Sequence, residues 1–220
     1  MPAAKSLLAS VVVVLAAASA ALADEPTVRI SHADQMRAEA ALLRQRDFGV
    51  GWTGGPRTPS KLTAPDCPGF DPKESDLVVT GHAEARFTYA RGLFTLAQDT
   101  QVLASRRAVA ADFARTIGPK LAGCLAHQLK ASGKGKVVSA LVRRLPFPRV
   151  GDVSAAYRAV LVVRSHAGLI RIVSDHVFFG QGRIEHSLNV VAPAVEGNQL
   201  VTFEAAIAQI LVKRGATDVA

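Results

Sequence analysis

Residues 156–191 read AYRAVLVVRSHAGLIRIVSDHVFFGQGRIEHSLNVV, and this stretch decides the fold. Apolar and polar residues alternate along it, as they do in half-buried β-strands. Ala167-Gly168 and the residues Gly180–Gly182 interrupt the alternation and are typical of hairpin loops. The stretch therefore predicts three consecutive antiparallel strands, at about residues 156–165, 169–179 and 183–191.

The lengths of these two loops predict the register of the three strands. A two-residue first loop places Tyr157 opposite Phe178, and a three-residue second loop places His176 opposite His186. Both pairings collect one apolar set on a single face, as a half-buried sheet requires. This set consists of Tyr157, Leu161, Val163, Ile170, Ile172, Phe178, Ile184, Leu188 and Val190.

A shorter second loop, at Gln181-Gly182, would turn Ile184, Leu188 and Val190 to the other face. Each would lose about 1.5–3 kcal/mol of burial if that face were exposed. The three-residue loop is therefore the expectation. The opposite face carries arginines and Glu185 among valines, and we expect the first helix to cover it rather than an interface with a partner.

Tyr157, Ser174, His176 and His186 are the candidates for a ligand pocket, because polar groups on an apolar face need partners. A small concave site in which they orient a ligand explains the pattern. A hydrogen-bonded histidine pair at the rim of the core is the alternative. Two facing histidines can share a zinc ion, but the nearby sequence lacks a third ligand, so no metal is predicted.

Outward from this stretch, the alternation around Phe87 and Tyr89 predicts an earlier hairpin turning at Arg91-Gly92. Tyr89 then faces Phe94, and Phe87 faces Leu96. Residues 137–147 predict one more strand before the three-stranded stretch.

Three helical patterns complete the order of elements, at about residues 33–46, 105–131 and 199–214. Ser31 or His32 caps the first, Ser105 caps the second, and Gly118-Pro119 should kink or split the second. The sequence thus predicts an α+β fold in the order α-β-β-α-β-β-β-β-α. An antiparallel sheet of about six strands is packed by two or three helices.

The first 23 residues are typical of a signal peptide. Lys5 precedes an apolar run that is too short to span a membrane, and Ala21-Leu22-Ala23 suits cleavage near Ala23. An uncleaved anchor or a buried helix is the alternative. We expect a secreted or extracytoplasmic protein of the cell envelope without a membrane span. Residues 24–64 hold a helix and a Gly/Pro-rich loop, and residues 65–220 form one α+β domain.

Cys67 and Cys124 are the two cysteines of the chain. A lone pair in an oxidising compartment usually forms a disulfide. The bond would tie the loop of residues 48–72, predicted as an Ω-like loop or a linker, to the apolar side of the second helix.

The formal net charge of +8 is concentrated between residues 101 and 136, where seven cations accompany the single acid Asp112. Arg106, Arg107, Arg115 and Lys120 are candidates for binding an anionic envelope polymer or lipid. A solvated helix face is the alternative. An exported domain with 5% aromatic residues is a poor candidate for binding nucleic acid.

We find no catalytic or cofactor motif, and no cofactor is expected. Ser174-Asp175-His176 contains the residue types of a hydrolytic triad, but neighbours on a strand point to opposite faces and cannot form a relay.

The segments RLPFPRVGDVSAAYRAV at 144–160 and VFFGQGRIEHSLNV at 177–190, with the Cys124-Leu125 pair, support a resemblance. The chain resembles secreted actinobacterial sensor-type domains, such as the extracellular sensor domain of the mycobacterial serine/threonine kinase H. That resemblance implies a non-enzymatic, ligand-binding or sensor-like domain. A secreted hydrolase with a non-local active site and a structural envelope-interaction protein are the alternatives.

Overall fold

A computed structural model of the protein describes residues 25–63, 67–90, 94–166 and 168–217. Within these ranges the chain has an α+β fold of eight strands and four helices. The strands are β1 (Thr27–Val28), β2 (Trp52–Arg57), β3 (Val78–Tyr89), β4 (Phe94–Leu103), β5 (Val137–Leu145), β6 (Val153–Ser165), β7 (Gly168–Gln181) and β8 (Ile184–Pro193). The helices are α1 (His32–Ala40), α2 (Arg106–Thr116), α3 (Pro119–Ser132) and α4 (Gly197–Thr217).

One sheet contains all eight strands, in the order β1-β3-β4-β8-β7-β6-β5, with β2 also paired to β3. The α+β class is confirmed, but the prediction of six antiparallel strands is too simple. Strand β1 has only two residues and runs parallel to β3. Strand β2 lies in the segment predicted as a loop. The sequence does not predict this strand because its Gly-Gly-Pro run, residues 54–56, is unusual in a strand.

Gly54 shows why glycine is needed in β2. Its φ is 139°, and a Cβ atom there would lie 2.1 Å from the carbonyl oxygen of Arg86 on β3. Strands β1 and β2, which lie within residues 25–63, belong to the same sheet as the later strands.

The helix boundaries follow local signals. Ser31 caps α1, where its Oγ accepts a hydrogen bond from the Asp34 amide at 3.1 Å, although α1 ends at Ala40 rather than near residue 46. Ser105 caps α2 in the same way. Pro119 is the first residue of α3, so the predicted long helix is split at Gly118-Pro119.

The predicted register of the β3–β4 hairpin is confirmed, with Tyr89 opposite Phe94 and Phe87 opposite Leu96. Its predicted turn at Arg91-Gly92 lies outside the described residues.

The predicted registers of the last two hairpins are wrong. Tyr157 lies opposite His176 rather than Phe178, because Ser165 pairs with Gly168 and places Gly168 in the strand instead of the loop. This shift of two residues leaves each side chain of β6 and β7 on its expected face.

The β7–β8 turn contains two residues, Gly182 and Arg183, since Gln181 pairs with Ile184. Gly182 has a φ of 62°, which suits glycine at the first central position of such a turn. The odd shift turns β8 over, so His186 lies opposite Phe179, and His176 lies opposite Asn189.

Burial on both sides of the sheet explains this error. The α4 face, covered by α1 and α4, carries Val177, Phe179, Ile184, Leu188 and Val190. The α2 face, partly covered by α2 and α3, carries Tyr157 and Phe178. Turning β8 over therefore exposes none of its apolar side chains. Helix α1 lies on β3 and β4, so it is α4, not the first helix, that covers β7 and β8.

The disulfide between Cys67 and Cys124 is confirmed, with a Cα–Cα distance of 5.3 Å. It joins the segment before β3 to the buried side of α3, next to Tyr157. No helix in the described ranges is long and apolar enough to cross a membrane. The signal peptide predicted for residues 1–23 lies outside those ranges.

Candidate functional site

Helix α2 packs against the sheet at Gly180 on β7. A Cβ atom at Gly180 would lie 2.7 Å from Cγ1 of Val109, so the missing side chain allows the helix to come this near. Beyond this contact a cavity of about 170 Å³ opens between α2 and the sheet, and we call it the α2 cleft. It is lined by Asp112, Phe113 and Thr116 of α2, by Ile117 directly after it, and by Asp99, Gln101, Phe178, Phe179, Glu185, His186 and Ser187 of the sheet.

The cleft is apolar on one side and acidic on the other. Phe113, Ile117 and Phe178 belong to the cluster that packs around the disulfide. The carboxyl groups of Asp99 and Asp112 come from the consecutive elements β4 and α2, and that of Glu185 comes from β8, which is distant in the sequence.

Asp99 has partners on the sheet. His82 Nε2 lies 2.6 Å from Asp99 Oδ2, and Gln101 Nε2 donates to Asp99 Oδ1 at 3.2 Å. Burial alone would lower the pKa of His82. The bond to Asp99 and the charges of Asp99 and Glu84 outweigh burial and raise that pKa above its usual value. His82 is therefore a counter-ion of Asp99.

Asp112 is only partly satisfied. Thr116 Oγ1 donates to its Oδ1 at 3.3 Å, and Arg115 Nε stays 4.0 Å away. Burial raises the pKa of Asp112 above its usual value despite the nearby Arg115 charge. The Arg115 guanidinium is instead bound to Asp76, at 2.6 Å and 3.1 Å, and also donates to the Lys73 carbonyl.

Glu185 has no hydrogen bond or ion pair within the described part of the chain. Protein atoms closely surround its carboxyl group, while the residue as a whole keeps some exposure through the cleft. Burial, followed by the charges of Asp112, Glu74 and Asp99, raises the pKa of Glu185 well above its usual value. Glu185 is thus a half-buried acidic group that lines the cleft and forms no ion pair with the described cations.

A possible set of metal ligands adjoins the cleft. His82, Glu84 and Asp99 bring one ligand atom each within 4.8 Å of one another. These atoms are already engaged, because Arg57 Nε lies 3.1 Å from Glu84 Oε2 and the Ser60 amide donates to Glu84 Oε1 at 2.7 Å. A cation would have to displace existing bonds, so we interpret the set as an ion-pair network.

Three of the four pocket candidates share the α2 face of the sheet. Ser174 Oγ lies 3.3 Å from His176 Nε2, and Asn189 Nδ2 donates to Ser174 Oγ at 2.8 Å. The Tyr157 hydroxyl donates instead to the Gly118 carbonyl at 3.3 Å. Burial lowers the pKa of His176 to about 4, so the ring is neutral at pH 7.

His186, the fourth candidate, lies on the α4 face, and the prediction that it adjoins His176 is wrong. Its Nδ1 lies 3.0 Å from Thr100 Oγ1, which accepts from Gln98 Nε2 at 2.8 Å. Gln98 Oε1 in turn accepts from the Leu43 amide at 2.8 Å. This buried chain fastens the segment after α1 to the sheet, so His186 contributes to structure and not to a shared pocket.

The basic candidates are not equivalent. Arg107 and Lys120 are exposed, and the exposed Arg106 lies 3.3 Å from Asp152. Arg115 is held by Asp76 and the backbone, so it is not available as a free surface cation.

Asp99, Asp112 and Glu185 were missed as site residues. The predicted three-residue turn places Glu185 on the outer face together with arginines. The observed two-residue turn places it on the α2 face instead. A useful signal was the strict alternation of Glu185, Ser187 and Asn189 with apolar residues, which marks one polar face of β8. Asp112 was visible as the single acid in a basic segment.

No protein-family model matches the chain, and no curated protein matches it in sequence.

Proposed function

We propose that this chain is an exported, non-enzymatic, sensor-like domain of the cell envelope whose small ligand occupies the α2 cleft. One observation carries the proposal: the half-buried Glu185 carboxyl lines a cleft and has no partner among the described residues. Polar groups with restricted access to water usually have partners. A bound ligand is the partner that would satisfy this one.

The form of the cleft supports binding. A few polar groups converge on a concave surface with apolar walls, which is the usual composition of a small-molecule site. Export is supported by the N-terminal sequence and by the disulfide, which oxidising compartments favour. The resemblance to actinobacterial sensor domains agrees with both.

A secreted hydrolase is the second candidate, because Ser174 and His176 lie within hydrogen-bond reach of each other. Two observations weaken it. Ser174 is only 2% exposed, so a substrate cannot reach its hydroxyl, and His176 has too low a pKa to accept a proton efficiently at pH 7. Any esterase activity of the pure protein that disappears in Ser174→Ala would favour the hydrolase.

Native mass spectrometry of the protein purified from the extracytoplasmic compartment tests ligand binding in the cleft. We expect a small molecule that remains bound in the gas phase and is released on denaturation. Thr116→Phe should fill the cleft and abolish this added mass. Ala114→Phe is the matched control, since Ala114 lies on the exposed side of the same helix and its variant should retain the molecule.

Equal retention of the molecule by both variants would place the ligand elsewhere and contradict the proposal. Circular dichroism and thermal unfolding of the two variants establish that both are folded.

A further inference from the structure

Among the described residues, no lysine or arginine lines the α2 cleft. Three carboxyl groups line it, from Asp99, Asp112 and Glu185. Asp99 is bonded to His82, and Asp112 lies 4.0 Å from Arg115 Nε, but Glu185 has no ion pair within the described part of the chain. The Arg115 guanidinium makes its close bonds to Asp76 and the Lys73 carbonyl. This deficit is local, because the chain as a whole carries a formal charge of +8.

The missing charge matters because the Glu185 side chain is half-buried and its access to water is restricted. Carboxyl groups crowded in such a place repel one another and lose hydration. Burial and the neighbouring acids both raise the pKa of Glu185, as expected for an acidic site without its cation. A ligand cation would remove the repulsion and replace the lost hydration with charge-assisted hydrogen bonds.

The apolar side chains of the cleft indicate the chemistry of the uncharged part of the ligand. Phe113, Ile117 and Phe178 present apolar surface, and the two aromatic rings can also attract a cation through their faces. An apolar cavity of about 150 Å³ in another protein binds benzene. The volume here, about 170 Å³, therefore suits an organic group of similar size.

We propose that the ligand of the α2 cleft is a small organic ammonium ion. Its ammonium group lies between Glu185 and Asp112, and its apolar body lies against Phe113 and Phe178. This inference rests on the proposed function, and it adds the chemical class of the ligand.

A bare metal ion fits the cleft less well. The set of ligand atoms that converges, from His82, Glu84 and Asp99, is bonded to Arg57, Ser60 and itself, and does not include Glu185. A metal ion would also leave the apolar wall without a function.

The test compares three probes of one size and different charge: benzylammonium, benzyl alcohol and benzoate. Each is titrated into the isotopically labelled protein at pH 7.5 and low salt, and binding is followed by NMR shifts of residues lining the cleft. We expect benzylammonium to bind at least tenfold more tightly than benzyl alcohol, and benzoate to bind weakest. Higher salt should weaken the binding of benzylammonium, because salt screens charge pairs.

Variants identify the group responsible. Glu185→Gln keeps the shape of the side chain and should weaken benzylammonium binding about tenfold or more, while benzyl alcohol is unaffected. Asp112→Asn provides a second, independent reduction if Glu185→Gln folds poorly. Glu39→Gln is the matched control, since Glu39 is an exposed acid on α1 and its variant should bind as the parent does.

Several results would overturn the inference. Equal or tighter binding of benzyl alcohol or benzoate in the cleft would leave a ligand site without cation selectivity, so the proposed function would survive. Binding of Mn²⁺ or Zn²⁺ in the cleft without binding of benzylammonium would assign it to a metal. Failure of all three probes to shift cleft resonances at 10 mM would also reject the ammonium class. The proposed function is tested separately, by whether Thr116→Phe loses the co-purifying molecule.

Discussion

Glu204 on helix α4 faces Asp175 on β7, and both residues are 0% exposed. Arg158 binds Asp175 through two bonds, at 2.7 Å and 2.5 Å. No protein donor in the described ranges reaches either carboxyl oxygen of Glu204. Two ionised carboxylates this close would repel each other, so we infer that the pair holds one proton. Burial, followed by Asp175, raises the pKa of Glu204 to about 9 and keeps the proton there.

Glu204→Gln should flatten the dependence of stability on pH. The folded protein holds a proton that the unfolded chain releases above the usual pKa of a glutamate. The parent therefore loses stability as the pH rises from about 4.5 towards 9, by at most about 1.4 kcal/mol per pH unit. Glutamine can donate a hydrogen bond to Asp175 without titrating. Urea unfolding at pH 5, 7 and 9 measures the slope, and an unchanged slope in the variant would contradict the shared proton.

The histidines should act in the opposite direction. Burial lowers the pKa of His176 to about 4 and of His186 to about 3. In mild acid the unfolded chain therefore binds protons that the folded chain does not bind. Each histidine contributes a loss of stability as the pH falls below about 6.5, by at most about 1.4 kcal/mol per pH unit. His176→Gln and His186→Gln should each reduce this loss.

The two histidine effects should add, because the rings lie on opposite faces of the sheet and share no partner. Denaturation of both single variants and the double variant at pH 5 and 7 checks this sum. His127→Gln, at an exposed position of α3, is the control. A large departure from additivity would indicate that the two rings interact after all.

Removing the disulfide should lower the free energy of unfolding by about 2–4 kcal/mol, since the bond closes a long loop in the unfolded chain. The loop spans 57 positions between Cys67 and Cys124. Unfolding of a Cys67→Ala, Cys124→Ala variant measures the loss. Thiol labelling of the denatured, unreduced parent should find no free thiol, and two labelled cysteines would show that the bond does not form.

Gly81 lets α1 lie against β3. A Cβ atom there would come within 2.2 Å of the Asp34 carbonyl oxygen, a backbone atom that cannot move aside alone. Gly81→Ala should therefore destabilise the fold by about 3 kcal/mol through overpacking. Gly55→Ala is the control, because nothing lies within 4 Å of its Cβ position on β2. Equal thermal stability of the two variants would argue against this packing.

The accuracy of each predicted register followed the burial of its strands. The β3–β4 hairpin was predictable because one face carries Phe87, Leu96 and other buried residues, while the other face is polar. The β7–β8 hairpin was not, because β7 has large apolar residues on both faces, Phe178 on one and Phe179 on the other. Either face of β8 can then be matched to β7, and alternation loses its power to choose.

The sequence by itself determined the features that depend on neighbouring residues: the caps at Ser31 and Ser105, the break at Pro119, the strands of the last third and the pairing of two lone cysteines. Only the tertiary structure decided which side of β8 faces α2, and hence which side chains meet in the cleft. Helix α4, which is distant from β4 and α2 along the chain, buries the apolar side of β8 and leaves Glu185 on the other face with Asp99 and Asp112. The side of β8 that α4 covers is set by long-range burial, a free energy that local pattern does not contain.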